Sequence, residues 1–132
     1  MIIDTSAIVA IVRQESTAQA CLEALEAASQ ISISAGSLVE ASIVIDRMDD
    51  QTAILTFDHL LLRYDITIEP VTEAHVRFAR LAYRRYGRGN DSKAKLNFGD
   101  CFAYALARER NEPLLFTGDD FTHTDLRSAL DT

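Results

Sequence analysis

The sequence has no long hydrophobic run, and no apolar segment approaches the roughly 18–20 residues that a membrane-spanning helix needs. It does not open with a basic stretch followed by an apolar core, so we expect no secretory signal. Cysteine is scarce: the chain has 2, Cys21 and Cys101, on the apolar stripes of two predicted helices. We interpret them as reduced, buried thiols rather than as a disulfide or a metal-binding pair. Reduced thiols predict a cytoplasmic protein, and the lack of a long apolar run predicts that it is not bound to a membrane.

The motifs of several common functional classes are also missing. No GxxxxGK[ST] phosphate loop is present, and no RNP-type aromatic motif. His59, His75 and His123 are isolated, without ligand-like spacing, and we expect them to be on the surface or partly packed. A Ser-His-Asp triad stays open, although no nucleophile-elbow motif supports one.

Basic residues are outnumbered, with 13 Lys and Arg against 20 Asp and Glu and a net charge of −7. This balance argues against a protein that coats nucleic acid non-specifically, because such binding depends on neutralising phosphates. Seven of the basic residues nevertheless fall within residues 77–95, where Asp91 is the only acid. The segment either guides a polyanion to a nearby site or is a solvated helix face with a polar loop. Its candidate RNA-binding residues are Arg84, Arg85, Arg88, Lys93 and Lys95.

Four short aliphatic runs predict β-strands, and no tight hairpin turn follows any of them. Helical patterns separate the runs, which is typical of βαβ units and a parallel sheet. The sequence therefore predicts one α/β domain over residues 1–132. The predicted strands are Met1–Asp4, Gln30–Ser34, Ile66–Ile68 and Leu114–Phe116.

The predicted helices follow from apolar residues at helical spacing. One starts after Ser16, which with Gln19 resembles a capping box. The others are Gly36–Met48, Gln51–Arg63, Thr72–Tyr86 and a last helix from Phe98 to near Asn111, with Gly87–Lys95 as a loop.

Acidic residues lie at the carboxyl ends of predicted strands and at the starts of predicted helices, where parallel α/β folds bind ligands. Asp4 closes the first strand, Asp119 and Asp120 follow the last, and Glu40 and Asp100 fall in the first turns of two helices. In open parallel sheets, ligands bind beyond the carboxyl ends of the strands. Converging carboxylates repel one another, so they need a divalent cation, and oxygen ligands alone favour Mg²⁺ or Mn²⁺ over Zn²⁺. This constellation points to phosphodiester chemistry.

Each acid also has a structural interpretation. Ser37-x-x-Glu40 is a candidate capping box, and Asn97-x-x-Asp100 is a looser one. Asp120 could cap the turn that follows it. Asp4 has the least structural reason to be where it is, because it ends an apolar central strand.

Four motifs make the chain resemble a PIN-domain ribonuclease of the VapC toxin type over essentially its whole length. The resemblance implies a three-layer α/β/α fold with a central, mainly parallel sheet of four to five short strands. It also implies an endoribonuclease that depends on one or two Mg²⁺ or Mn²⁺ ions and is inhibited by a VapB-type antitoxin. The motifs are Ile2-Ile3-Asp4-Thr5-Ser6-Ala7, Glu40, the stretch 96–105 around Asn-Phe-Gly-Asp-Cys, and the stretch 115–121.

By motif match, the resemblance makes Asp4, Glu40 and Asp100 the metal-binding acidic triad. The fourth catalytic acid lies in Thr117-Gly118-Asp119-Asp120. Counting from Thr117 favours Asp119, whereas Asp120 and the phenylalanine after it resemble the Asp-Phe pair of the family, so both stay open.

Hydroxyl residues near these acids complete the predicted site. Thr5 or Ser6 would orient Asp4 or contact phosphate, and Thr117 would support the site. The cation would lower the pKa of a water that attacks the phosphodiester in line. The alternative is a non-catalytic PIN-like module that binds RNA or protein. An acidic phosphoryl-receiver domain is disfavoured by the single acid at the first strand and by the absence of a late-strand lysine.

The helix pair 36–63 carries more apolar residues than one inward stripe needs. A helix that is apolar on more than one face is either enclosed or offers its surplus to a partner. We therefore expect an antitoxin helix in a groove there, with Leu55 and Leu62 as contacts. The remaining apolar surface, on the later helices, predicts a homodimer.

Overall fold

The computed structural model describes residues 1–131, and Thr132, the last residue of the predicted domain, lies outside the described residues. Within that range the chain forms four short strands and six helices. The strands are β1 (Ile2–Ile3), β2 (Ser32–Ser34), β3 (Thr67–Glu69) and β4 (Leu114–Leu115). The helices are α1 (Thr5–Val12), α2 (Ala18–Ala27), α3 (Ala35–Asp46), α4 (Gln51–Arg63), α5 (Glu73–Tyr86) and α6 (Asp100–Arg110).

The four strands form one parallel sheet in the order β3-β2-β1-β4. Ile2 pairs with Ser32 of β2 on one side and with Leu114 of β4 on the other, so β1 is central. The strand order reverses at β1, because β2 and β3 extend to one side of it while β4 returns to the other. A parallel α/β sheet binds ligands beyond the carboxyl ends of its strands at such a reversal. The fold therefore places the end of β1, and the residues after β4, at the expected site.

Two apolar cores cover the two faces of the sheet. Neighbouring residues of a strand point to opposite faces, and here Ile3 and Leu115 enter one core while Ile2 and Leu114 enter the other. The first core is completed by α1, α2, α3 and α4, and the second by α5 and α6. These layers confirm the predicted α/β/α architecture. Cys21 and Cys101 are free, buried thiols, as predicted.

All four predicted strands are confirmed, but α1 is not among the predicted helices. Its sequence, Thr-Ser-Ala-Ile-Val-Ala-Ile-Val, has no polar face that would produce a helical periodicity. Both sides are apolar because the helix is almost enclosed, with Ala7, Ile8 and Ala10 completely buried. Among residues 1–131, no helix is both long and apolar enough to cross a membrane.

Two of the predicted capping boxes are wrong. Helix α2 begins after Thr17, which makes no side-chain cap, and the Gln19 amide donates to Glu23 instead of closing a box with Ser16. Helix α3 begins directly after β2, where Ser34 accepts a hydrogen bond from Gly36 N at 3.2 Å. The helix therefore starts earlier than predicted, and Glu40 lies in its second turn, with no capping role.

Candidate active site

Asp4 directly follows the carboxyl end of β1 and is almost completely buried, with 2% of its surface exposed. Its Oδ2 caps α1 by accepting from Ser6 N at 3.0 Å, and it also accepts from Ser6 Oγ at 2.6 Å. Its Oδ1 is buried and has no hydrogen-bond partner among the described residues. Burial raises the pKa of Asp4 to about 6 despite the Ser6 hydrogen bonds, and the charge of Glu40 adds to the increase. One carboxylate oxygen is thus fixed, and the other lacks a compensating group.

Ser6 connects Asp4 to the loop after β4. The Ser6 hydroxyl accepts from Thr117 N at 3.1 Å while it donates to Asp4, and Thr117 Oγ1 donates to Ser6 O at 3.3 Å. The Thr5 hydroxyl does not contact Asp4. It donates to Ser37 O at 3.0 Å and thereby links α1 to α3. The structure therefore brings Ser6 and Thr117 to the site and turns the Thr5 hydroxyl to a helix contact.

Asp100 is held at the first residue of α6 by a reciprocal pair of hydrogen bonds. Asn97 N donates to Asp100 Oδ2 at 3.0 Å, and Asp100 N donates to Asn97 Oδ1 at 2.9 Å. The looser capping box predicted there is confirmed. Burial, with a smaller contribution from the charges of Asp4 and Asp120, raises the pKa of Asp100 to about 7, although the hydrogen bond from Asn97 N–H opposes this. The same carboxylate therefore fixes the turn before α6 and faces the other acids.

Asp120, rather than Asp119, lies beside Asp100. The Asp120 side chain contacts the Asp100 carboxyl group and raises its pKa, whereas Asp119 is exposed and is not among the groups that perturb Asp4 or Asp100. Gly118 has φ of +80°, a left-handed conformation that L-residues with a side chain rarely adopt. The turn that it allows decides which of the two neighbouring acids faces inward.

Glu40 reaches the site from α3, and Gly99 makes room for it. A Cβ atom on Gly99 would overlap Glu40 Oε2, so the carboxylate packs directly against the glycine backbone. The φ of Gly99 is −62°, an ordinary helical value, so the glycine is needed for space rather than for conformation. Sequence reasoning missed this role. The available signal was a glycine directly before Asp100, but the contact that explains it is tertiary.

The four acids suit a divalent cation chemically. Within residues 1–131, the ion pairs involve other acids, so no Lys or Arg neutralises Asp4, Glu40, Asp100 or Asp120. The buried, unpartnered Oδ1 of Asp4 lacks the compensation that a cation would supply. In that same part of the chain, no three His, Cys, Asp or Glu side chains already converge as a ready metal cage. Carboxylates that face one another without a basic partner are stabilised by a divalent cation, so a bound ion would draw the four acids together.

The basic segment directly precedes, in sequence, the part of the chain that carries Asp100. Leu96 N donates to Tyr86 O at 2.9 Å and Arg88 N donates to Leu96 O at 3.0 Å, which closes the base of the loop between α5 and α6. Asp100 follows Leu96 by four residues. The candidate RNA-binding side chains of this segment are all exposed: Arg84, Arg85, Arg88, Lys93 and Lys95.

Apolar side chains are exposed on both helices of the predicted partner surface. On α4, Leu55 is 59% exposed and Leu62 is 81% exposed, so neither belongs to the core. On α3, Val39 and Ile43 line an apolar groove of about 420 Å³, which also includes Glu40 and Phe98. The groove on α3 thus extends up to the acidic site. The three histidines lie elsewhere: His75 contacts Glu109 at 2.7 Å, and His59 and His123 are exposed.

Comparisons with known proteins agree with this fold. The PIN domain family matches residues 1–126. The chain is 48% identical over 131 residues to Ribonuclease VapC28 of Mycobacterium tuberculosis, covering 99% of this chain and 98% of that protein. Its fold is similar to that of M. tuberculosis VapC20, described as a Sarcin-Ricin loop cleaving toxin, with a TM-score of 0.75, 16% identity and 95% of each chain covered. It is also similar to VapBC2 from Rickettsia felis bound to a promoter DNA fragment, with a TM-score of 0.70, 16% identity and coverages of 96% and 95%.

A parallel α/β/α domain with uncompensated carboxylates at the reversal of its strand order is the architecture of a metal-dependent nuclease class. The chain belongs to the PIN-domain family and, within it, to the VapC ribonucleases.

Proposed function

We propose that this protein is the toxin of a type II toxin–antitoxin pair and cleaves RNA with Mg²⁺ or Mn²⁺ held by Asp4, Glu40, Asp100 and Asp120. The observation that carries the site assignment is the buried Oδ1 of Asp4, which has no protein partner. It belongs to a group of acids that no basic side chain within residues 1–131 neutralises, in a chain similar over 131 residues to a named ribonuclease. Asp119 is exposed, so we assign the fourth position to Asp120.

The chain's own residues hold and orient this site. Ser6 and Thr117 fix Oδ2 of Asp4, which leaves Oδ1 available as a ligand. Gly99 lets Glu40 approach, and Asp100 is fixed at the start of α6. A divalent cation held by these acids would supply the remaining chemistry, since it would lower the pKa of a water and stabilise charge on the phosphoryl oxygens. No histidine is needed.

The basic segment supports an RNA substrate. Its exposed Arg and Lys side chains lie in the last turn of α5 and on the following loop, whose base lies four residues from Asp100. An otherwise acidic protein concentrates its positive charge there, where it would neutralise phosphates on either side of the cleaved bond. We place the protein in the cytoplasm, where its two buried thiols stay reduced.

We propose two protein partners on two surfaces. Leu55 and Leu62 form one apolar stripe on α4, since residues seven apart face the same way on a helix. A cognate VapB-type antitoxin helix would cover that stripe. A second copy of this chain would cover the apolar surface of the later helices, where Val76 of α5 is 58% exposed and Phe98, in the turn before α6, is 77% exposed. Val76→Glu should yield a monomer in analytical ultracentrifugation, and an unchanged mass would refute this dimer surface.

Incubation of the purified chain with total RNA tests the enzymatic proposal. Cleavage should require Mg²⁺ or Mn²⁺, stop in EDTA, and stop in Asp4→Asn. Asp58→Asn, which removes an exposed acid of α4, is the matched control and should cleave like the parent. The products should carry 5′-phosphate and 3′-hydroxyl ends, because a water nucleophile does not use the 2′-hydroxyl. RNA binding without cleavage in any metal would favour the non-catalytic module, and full activity in EDTA would refute the metal mechanism.

A further inference from the structure

Asn97 makes a contact with Asp100 that differs from the other helix caps of the protein. Ser34, Asp50 and Thr72 each accept hydrogen bonds from the first turn of their helices. At α6 the contact runs in both directions, since Asn97 Oδ1 accepts from Asp100 N while Asn97 N donates to Asp100 Oδ2. The carboxylate that returns this bond belongs to the acidic site.

We propose that Asn97 is a positioning residue that holds the Asp100 carboxylate in the orientation required for binding the divalent cation. This inference rests on the proposed function, because it assumes that Asp100 is a metal ligand. Asn97 would act on the ion only through the Asp100 carboxylate, which its backbone N–H contacts.

The need for such a residue follows from the charges around Asp100. Asp4 and Asp120 both act on its carboxylate, and their repulsion favours a rotamer that turns away from the site. Asp100 is only 7% exposed, so water cannot screen that repulsion effectively. The two hydrogen bonds to Asn97 oppose it by fixing the backbone N–H and one carboxylate oxygen, which leaves the other oxygen for a ligand.

The neutral side chain of Asn97 is part of the argument. Asn and Asp are both strong helix caps, but an Asp at this position would add another negative charge beside acids that already repel one another. An amide supplies the acceptor for Asp100 N without that charge. Loss of the acceptor would release the first turn of α6, and the carboxylate would follow the repulsion outward.

Titration of the full chain with Mn²⁺, followed by electron paramagnetic resonance without RNA, tests this inference. Asn97→Ala should weaken Mn²⁺ binding by about 10- to 100-fold, as expected when a group that orients a metal ligand is lost. Asn97→Ser should restore most of the affinity, because a serine hydroxyl is also an effective cap acceptor. Thr72→Ala is the matched control: it removes a single cap bond from α5, and it should lower the melting temperature without changing the Mn²⁺ affinity.

The outcomes separate this inference from the proposed function. If the parent binds Mn²⁺ and Asn97→Ala binds it equally well, the inference is wrong and the metal site stands. If the parent does not bind Mn²⁺ at all, the proposed function itself fails. Should Asn97→Ala not fold, Asn97→Gly replaces it, because glycine is tolerated at helix caps but offers no side-chain acceptor. Parent-like Mn²⁺ affinity in the glycine variant would equally overturn the inference.

Discussion

The carboxylate of Glu40 packs against the backbone of Gly99, in the space that a Cβ atom would occupy. This contact connects α3 to the residue directly before Asp100. It brings an acid from one layer of the fold to an acid from the other, across the end of the sheet. The size of residue 99 therefore controls where the Glu40 carboxylate can lie.

Gly99→Ala should lower RNA cleavage by at least about tenfold and weaken Mn²⁺ binding, with a loss of less than about 1 kcal/mol in unfolding free energy. The added methyl meets the end of a flexible side chain, so Glu40 can swing away with little strain. Cleavage assays and chemical denaturation check the two effects. Gly87→Ala is the contrasting control, because its Cβ meets the backbone oxygen of Tyr83 and should reduce stability instead. Parent-like cleavage by Gly99→Ala would mean that the position of Glu40 is unimportant.

Without metal, the protein should become less stable as the pH rises from about 4 to about 7. The pKa of Asp4 is raised from 3.8 to about 6, and that of Asp100 from 3.8 to about 7. Between the unfolded and folded values the native state binds more protons, so stability falls as the pH increases through this window. Asp4→Asn should therefore stabilise the metal-free protein at pH 8 by on the order of 2 kcal/mol. The difference should vanish near pH 4.

Thermal melts of the metal-free proteins at both pH values measure this difference. Asn retains an acceptor for Ser6 N, so the cap of α1 is not the variable. Saturating Mg²⁺ should reverse the order at pH 8, because an ion that binds only the native parent stabilises it. Equal melting temperatures for parent and Asp4→Asn at pH 8 would show that the buried carboxylate is not destabilising.

The neighbouring acids after Gly118 should differ in their effect on activity. Asp120→Asn should reduce cleavage by more than about 100-fold, because it removes the acid beside Asp100, while Asp119→Asn should stay within about threefold of the parent. The two variants remove the same charge from adjacent positions, so each controls for the other. Rates with the same RNA at saturating Mn²⁺ decide the point. The reverse ranking would return the fourth position to Asp119.

The position of most of the site could be predicted from the sequence. Asp4 at the end of an apolar run, and acids after the last run, belong together because parallel strands carry their carboxyl ends to one edge. The choice between Asp119 and Asp120 could not be made, because it depends on the turn that the positive φ of Gly118 allows. The role of Gly99 could not be predicted either, because its contact with Glu40 crosses from one layer to the other. Helix α1 lacks the polar face that reveals a helix in a sequence.

The exposed arginines near the loop between α5 and α6 should control RNA affinity. Reversal of Arg84, Arg85 and Arg88 to Glu should weaken RNA binding and flatten its dependence on salt, since fewer counterions are released. Mn²⁺ affinity should not change, because these side chains do not pair with the acids of the site. Arg47→Glu reverses an exposed charge at the end of α3 and serves as the control. Fluorescence anisotropy at several salt concentrations gives the slope. An unchanged slope in the triple variant would make this segment a solvated face.

The exposed stripe of α4 should bind the antitoxin without contributing to catalysis. The opposite face of the helix enters the core through Ala53, Phe57 and Leu60, so Leu55 and Leu62 can accept a charge without opening the core. Leu55→Glu with Leu62→Glu should weaken antitoxin binding by at least about 100-fold, since burial of two leucines contributes several kcal/mol. RNA cleavage should stay at the parent level but escape inhibition. Thr56→Glu adds charge to an exposed position of the same helix, about 100° around the helix axis from Leu55, and should leave the complex intact. Calorimetry with the cognate antitoxin measures the affinity. If the double variant folds and still binds normally, the antitoxin occupies another surface, and if it unfolds, these leucines support the core.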